Sequence, residues 1–275
     1  MSRGFVWFCL RNKKTDYVAL SEQLGASIKK NNKHNNTCII TNDHMLQIPG
    51  AVKNVDDVVL LPKDFSINEQ WKLSNEWQVF NLSPYTHTIK LEADELIVSN
   101  IDNWWNILME KHLVLSYDCF NYKREVVKTN KYRKLFAENS LPNVYSGLSY
   151  FRKSLIAEKF YHVCKLLTLN WEFVKENILV NCHDSLPTTD VVYALASKII
   201  DPLQLDKLDY EFFKLTHNKH NINKLHHSFD NDVYLHPKII KDKVYVGGFR
   251  QTGVWHYHNK KLMEKKNDKV LGSLI

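Results

Sequence analysis

Apolar residues first run together at Phe5-Val6-Trp7-Phe8-Cys9-Leu10, without the alternation of a half-exposed strand. Such a run predicts a strand covered on both faces, as in a parallel sheet. The period then changes. Tyr17, Leu20, Leu24 and Ile28 recur at helical spacing and predict a helix with one buried stripe, with Thr15 as its N-cap and Lys29, Lys30 and Lys33 closing its C-terminal end. Thr37 to Thr41 predicts a second strand ending in Asn42-Asp43, and Val58 to Leu61 a third ending at Pro62. Strand, helix, strand is the start of a Rossmann-like α/β sheet.

Downstream, residues 69–83 read as helical, Thr86 to Leu91 as a strand, Trp104, Trp105, Leu108 and Met109 as a helix, and His112 to Tyr117 as a strand. The polar, basic stretch 121–140 predicts an exposed excursion. Val144 to Phe151 then reads as a strand, Leu155 to Leu167 as an amphipathic helix, and Thr189 to Ile200 as a helix capped by Thr188 or Thr189. The last third carries short strand patterns near Val233 to Leu235, Lys243 to Val246 and Val254 to His258. With no internal repeat and no linker composition, residues 1–275 are expected to form a single domain with a variable C-terminal part.

Composition narrows the class. The chain has 275 residues, 24% charged and 12% aromatic, which excludes collagen-like, low-complexity and disordered classes. Lys and Arg number 37 against 30 Asp and Glu, so the net charge of +7 permits a polyanionic partner without identifying one. Five scattered cysteines fit a reducing compartment better than a disulfide framework. No apolar run approaches the roughly 18 to 20 residues that a membrane helix needs, and no cleavage signal follows Met1. A soluble, cytoplasmic protein without a membrane partner is expected; oligomeric state is not legible.

Common catalytic fingerprints are missing. There is no GxGxxG after the first strand, no P-loop, no GxSxG elbow and no CxxC pair. The informative segment is Thr88 to Val98, where an apolar strand delivers Glu92 and Asp94 at i and i+2, the spacing that points two side chains the same way on an extended backbone. Two carboxylates so placed suit Mn²⁺ or Mg²⁺ carrying phosphates, or else they are two acids at a strand end facing water.

Leu91-Glu92-Ala93-Asp94 resembles the L-D-A-D of the GT-A glycosyltransferases, whose DXD motif binds the metal and diphosphate of a nucleotide sugar. The resemblance continues through Ile101 to Trp105, Asn143 to Phe151 and Thr189-Asp190, each similar to a segment of the GT8-like members. It closes at Gly253 to Lys260, similar to the family's H-x-x-G-x-x-K-P-W region without its Pro. It implies a GT-A, Rossmann-like mixed central sheet flanked by helices, with residues 1–100 binding the nucleotide sugar and 101–275 forming the acceptor half and its C-terminal metal-ligand segment. Asp94, Glu92 and one of His256 and His258 are the implied metal ligands; Glu92 stands where the family has Asp, which places Asp94 first. Read without the family, His256 and His258 are two histidines on an exposed strand.

The family's nucleotide pocket maps to Leu10, Arg11, Asn12 and Tyr17 after the first strand, Thr41, Asn42 and Asp43 after the second, and Ala93 within the motif. Tyr17 reads equally as core. Lys72 is either a phosphate contact or a solvated helical lysine, Gly253 belongs to the implied binding segment, Gly247-Gly248 either allows close backbone approach to a phosphate or makes a turn, and Lys260 or Arg250 would neutralise the leaving diphosphate. Asp190, with Asp184 nearby, is the implied acceptor-side acid; a helix N-terminal Asp stabilised by the macrodipole is its other reading. The whole sequence is also similar to GT-A proteins of large tailed bacteriophages. That likeness implies a hexosyl- or pentosyltransferase moving a sugar such as glucose or arabinose from a UDP-sugar to 5-hydroxymethylcytosine in phage DNA, or to a sugar already on it. A glycan acceptor, or a non-catalytic nucleic-acid-binding protein, are the alternatives.

Overall fold

The opening apolar run forms β1 (Arg3–Phe8). The computed structural model describes residues 2–68, 71–127, 133–200, 212–219, 237–257 and 260. Helix α1 (Tyr17–Asn31) follows, and its N-cap is Asp16 rather than Thr15. The Asp16 carboxylate accepts from the Ala19 N–H at 3.0 Å, adding charge to the cap where the helix dipole favours it. Leu20, Leu24 and Ile28 are buried as the periodicity requires, whereas Tyr17 is only half-buried.

Strands β2 (Thr37–Thr41), β3 (Asp57–Leu60) and β4 (His87–Lys90) join β1 in parallel. Beyond β4 the chain makes the short β5 (Glu95–Ile97), α3 (Trp104–Leu108) and β6 (Leu113–Tyr117), and later β7 (Val144–Arg152). β7 lies antiparallel between β4 and β6, giving a mixed six-stranded sheet of order β3-β2-β1-β4-β7-β6. Side chains alternate across it: Phe5 and Trp7 enter one apolar core with α1, and Val6 and Phe8 enter the other. That second core is closed by α5 (Leu155–Leu169), α6 (Trp171–Asn177) and α7 (Thr189–Ile199).

Two departures bear on the site. The stretch from 69 to 83 is a 3-10 turn, Leu73–Gln78, followed by a single helical turn, α2 (Val79–Leu82); Glu69 and Gln70 lie outside the described residues. The expected excursion 121–140 contains α4 (Lys134–Glu138) and a buried Arg133, whose guanidinium carbon sits 3.8 Å from the Phe136 ring centroid and 4.0 Å from that of Tyr145. Cation–π contact on both sides, together with the Asp190 carboxylate as counter-charge, makes burial of this Arg tolerable.

Two three-stranded sheets complete the described chain. One is β8 (Leu215–His217), β12 (Val254–His256) and β5, with β12 central and antiparallel to β5. The other is β9 (Pro237–Ile240), β10 (Lys243–Val246) and β11 (Phe249–Arg250), in which Gly247 and Gly248, both at positive φ, make a two-residue hairpin turn. The strand pattern at Val233 to Leu235 lies outside the described residues. All five cysteines are free thiols, and among the described residues no helix is long and apolar enough to cross a membrane.

Candidate active site

At the C-terminal end of β4 the sheet opens into a cavity of about 310 Å³. The Glu92-Ala93-Asp94 segment at its mouth is not extended, as the i, i+2 reading required. It is a tight turn closed by the Glu95 N–H donating to the Glu92 carbonyl at 3.2 Å. The carboxylates converge for a different reason. β12 pairs with β5 so that His256 stands opposite Glu95, which carries the imidazole back across the turn. His256 Nε2 lies 3.4 Å from Asp94 Oδ2 and 3.7 Å from Glu92 Oε2.

Charge is concentrated here on largely buried side chains. Burial acts to raise the Asp94 carboxyl, but His256 and Lys260 outweigh it and hold the group well below the usual carboxylate range. Burial acts to lower the His256 imidazole; Asp94 first, then Glu92 and Glu95, lift it to about 9. Lys260 Nζ is 3.5 Å from Asp94 Oδ2 and donates to the Tyr17 hydroxyl at 2.8 Å. Beneath the turn, the wholly buried Lys90 Nζ lies 2.7 Å from Glu76 Oε2 and 3.8 Å from Glu92 Oε1, and donates to the Ser146 carbonyl at 3.1 Å.

The opposite wall comes from β7 and α7. Between Leu115 and Ser116 the β6 partner jumps from Ser149 to Tyr145, so Ser146, Gly147 and Leu148 bulge out of the ladder. The bulge turns Ser146 toward Asp190, whose Oδ1 accepts from the Ser146 N–H at 2.7 Å and hydroxyl at 2.8 Å. Arg133 pairs with the other Asp190 oxygen and donates to the Val144 carbonyl at 2.7 Å.

Of the residues singled out from sequence, Leu10, Tyr17, Lys72, Glu92, Ala93, Asp94, Asp190, His256 and Lys260 line this cavity. Arg11, Asn12, Thr41, Asn42, Asp43, Asp184, Arg250 and Gly253 lie outside its lining. The Arg11 N–H donates to Asn42 Oδ1, Asn12 Oδ1 accepts from the Lys14 N–H, Thr41 Oγ1 accepts from the Asp43 N–H, and Asp43 caps the 3-10 turn His44–Gln47. These polar groups tie the loops after β1 and β2 to themselves. Asp184 is exposed in the loop before α7, with its carbonyl accepting from Trp171 Nε1. Gly253, at φ +74°, is required by packing, since a Cβ there would stand 2.8 Å from the Lys214 carbonyl oxygen. His258 lies outside the described residues.

Sequence reasoning missed Glu76, Lys90, Glu95, Arg133, Ser146 and His217. Lys90 and Glu95 had a signal, each being a charge inside an apolar stretch beside the acidic pair. Arg133 and His217 stood in a basic-aromatic run and a His-rich stretch that read by default as solvated surface and polar loop, whereas both are buried.

No family model matches the chain, and no curated protein matches it in sequence. Solved structures do. The galactosyltransferase LgtC in complex with donor and acceptor sugar analogues superposes with a TM-score of 0.55 at 11% identity, over 98% of this chain and 95% of that one. Mouse xyloside xylosyltransferase 1 gives 0.54 at 10% identity, over 93% and 97%. An active-site mutant of LgtC gives 0.50 at 9% identity, over 92% and 86%. A mixed sheet flanked by helices, matched at this length by these enzymes, is the GT-A glycosyltransferase fold.

Proposed function

We propose that the protein is a metal-dependent glycosyltransferase that takes a sugar from a nucleotide sugar, with UDP as the nucleotide. The observation that carries this reading is the convergence of Asp94, Glu92, His256 and Lys260 at the mouth of one cavity, at the end of a central strand of a GT-A fold. Two carboxylates and an imidazole make an oxygen-and-nitrogen donor set that fits Mn²⁺ or Mg²⁺. A bound ion would supply charge neutralisation of the departing diphosphate.

The chain's own residues do the rest. Lys260 and Lys72, both lining the cavity, are placed to meet phosphate oxygens, and Leu10 and Tyr17 provide an apolar wall for the base. Asp190 is held in one orientation by Ser146 and Arg133 and presents fixed negative charge toward the acceptor side. Lys90 keeps Glu92 in place from below. The acceptor in this reading is the hydroxyl of 5-hydroxymethylcytosine in DNA, or a sugar already on it, supported by the net charge of +7. A saccharide acceptor is the second reading, favoured by the structural likeness to an enzyme crystallised with an acceptor sugar analogue.

The test is release of nucleoside diphosphate from a panel of nucleotide sugars with Mn²⁺, with and without DNA containing 5-hydroxymethylcytosine. Release stimulated by that DNA and lost in Asp94→Ala supports the first reading. Release indifferent to DNA but stimulated by saccharides supports the second. No release with any donor refutes both.

A further inference from the structure

Resting on the reading of Glu92, Asp94 and His256 as metal ligands, we infer that Glu95 and His217 are positioning residues that fix which nitrogen of His256 faces the cavity. The two sides of the His256 ring have different neighbours. Nε2 looks toward Asp94 Oδ2 at 3.4 Å and Glu92 Oε2 at 3.7 Å. Nδ1 looks inward, 3.0 Å from His217 Nδ1 and 3.9 Å from Glu95 Oε1.

A ring nitrogen that ligates a cation supplies its lone pair, so the proton of the neutral imidazole sits on the other nitrogen. With Nε2 as ligand, Nδ1–H donates to His217 Nδ1, and His217 carries its own proton on Nε2. The Glu95 carboxyl packs beside the same Nδ1–H, with Oε1 3.9 Å from the nitrogen. Both partners are buried, Glu95 completely, so water does not compete for the contact.

Glu95 brings an oxygen within 4.8 Å of possible ligand atoms of Glu92 and His256, and it meets the imidazole at Nδ1 rather than at the Nε2 that faces Asp94. Its Oε2 accepts from the Glu92 N–H at 2.9 Å, and its Oε1 faces the inward side of the ring. That bond also fixes the turn that carries Glu92 and Asp94, so one buried acid orients the turn and the imidazole together. Room for it comes from Gly147, where a Cβ would lie 2.5 Å from Glu95 Oε1 and 3.7 Å from His256 Nδ1.

The experiment is Mn²⁺ titration of the full chain, followed by the electron paramagnetic resonance of free Mn²⁺, for wild type, Glu95→Gln and His217→Phe, with thermal melting alongside. Glu95→Gln keeps the shape and turns one of the two acceptor oxygens into an N–H donor, facing either the Glu92 N–H or the His256 Nδ1–H; His217→Phe keeps a ring and removes the acceptor. The expected result is about 10- to 100-fold weaker Mn²⁺ binding in each folded variant. The spin-echo spectrum of bound Mn²⁺ should show imidazole ¹⁴N coupling in wild type and a reduced coupling in His217→Phe. Should His217→Phe fail to fold, Glu95→Gln decides alone through its affinity. Unchanged affinity and coupling in the folded variants overturn the inference while leaving the metal reading intact. A wild type that binds no Mn²⁺ overturns both.

Discussion

Lys90 Nζ lies 2.7 Å from Glu76 Oε2, with the lysine side chain wholly shielded from solvent. Burial acts to lower the Lys90 ammonium, and Glu76, followed by Glu92, more than reverses this and keeps it charged. Removing one partner strands the other. Lys90→Met is therefore expected to destabilise the fold by about 3–5 kcal/mol, whereas Lys90→Met with Glu76→Leu recovers most of that loss. Urea unfolding of the three proteins checks this. Lys90 also lies near Glu92, so under the proposed function the double variant should regain stability but not release of nucleoside diphosphate from a nucleotide sugar.

Gly147 sits in β7 with no space for a side chain. Gly147→Ala is expected to cost about 1–3 kcal/mol, because the methyl group meets the Glu95 carboxylate and overpacked sites relax only partly. The cost should shrink in a Glu95→Ala background, where the opposing oxygen is gone. A double-mutant cycle on unfolding free energies measures that coupling; additive effects would mean the clash is relieved elsewhere.

Lys260 spans Asp94 and Tyr17 at the cavity mouth. Lys260→Gln should weaken binding of a nucleoside diphosphate about 10- to 100-fold, the range expected for one charge-assisted hydrogen bond. Calorimetric titration with UDP and Mn²⁺ reads this directly. Equal affinity in the variant would remove Lys260 from phosphate recognition.

Asp64 supports the loop that leads into the cavity. Burial acts to raise its carboxyl, but bonds from the Ser66 hydroxyl and N–H, from Asn75 and from Asn42 outweigh it and bring it from 3.8 to about 2. A depressed carboxyl contributes stability above its unfolded value and loses it as pH falls through the folded one. The Tm difference between wild type and Asp64→Asn should thus be full above pH 4 and shrink toward pH 2. A difference independent of pH would show that shape, not charge, is what the loop needs.

The chain's local patterns were enough to determine the alternation of strands and helices, the parallel start of the sheet and the acids after β4. Each of those depends on a period or a residue type within a few positions, such as Phe5 to Leu10 or Leu20, Leu24 and Ile28. Asp94, His256, Lys260 and Asp190 were also legible, through resemblance, and the fold brings them to one cavity. Only the tertiary structure decided the rest. The Glu92-Ala93-Asp94 turn, the β7 bulge at Ser146 to Leu148 and the burial of Arg133 depend on strand register and on partners distant in sequence. His217 and His256, 39 positions apart, meet because β8 and β12 pair in parallel, and Glu95 joins them because β5 lies on the other side. Register is set by which apolar faces pack together across the whole molecule, and a local window of sequence does not contain that information.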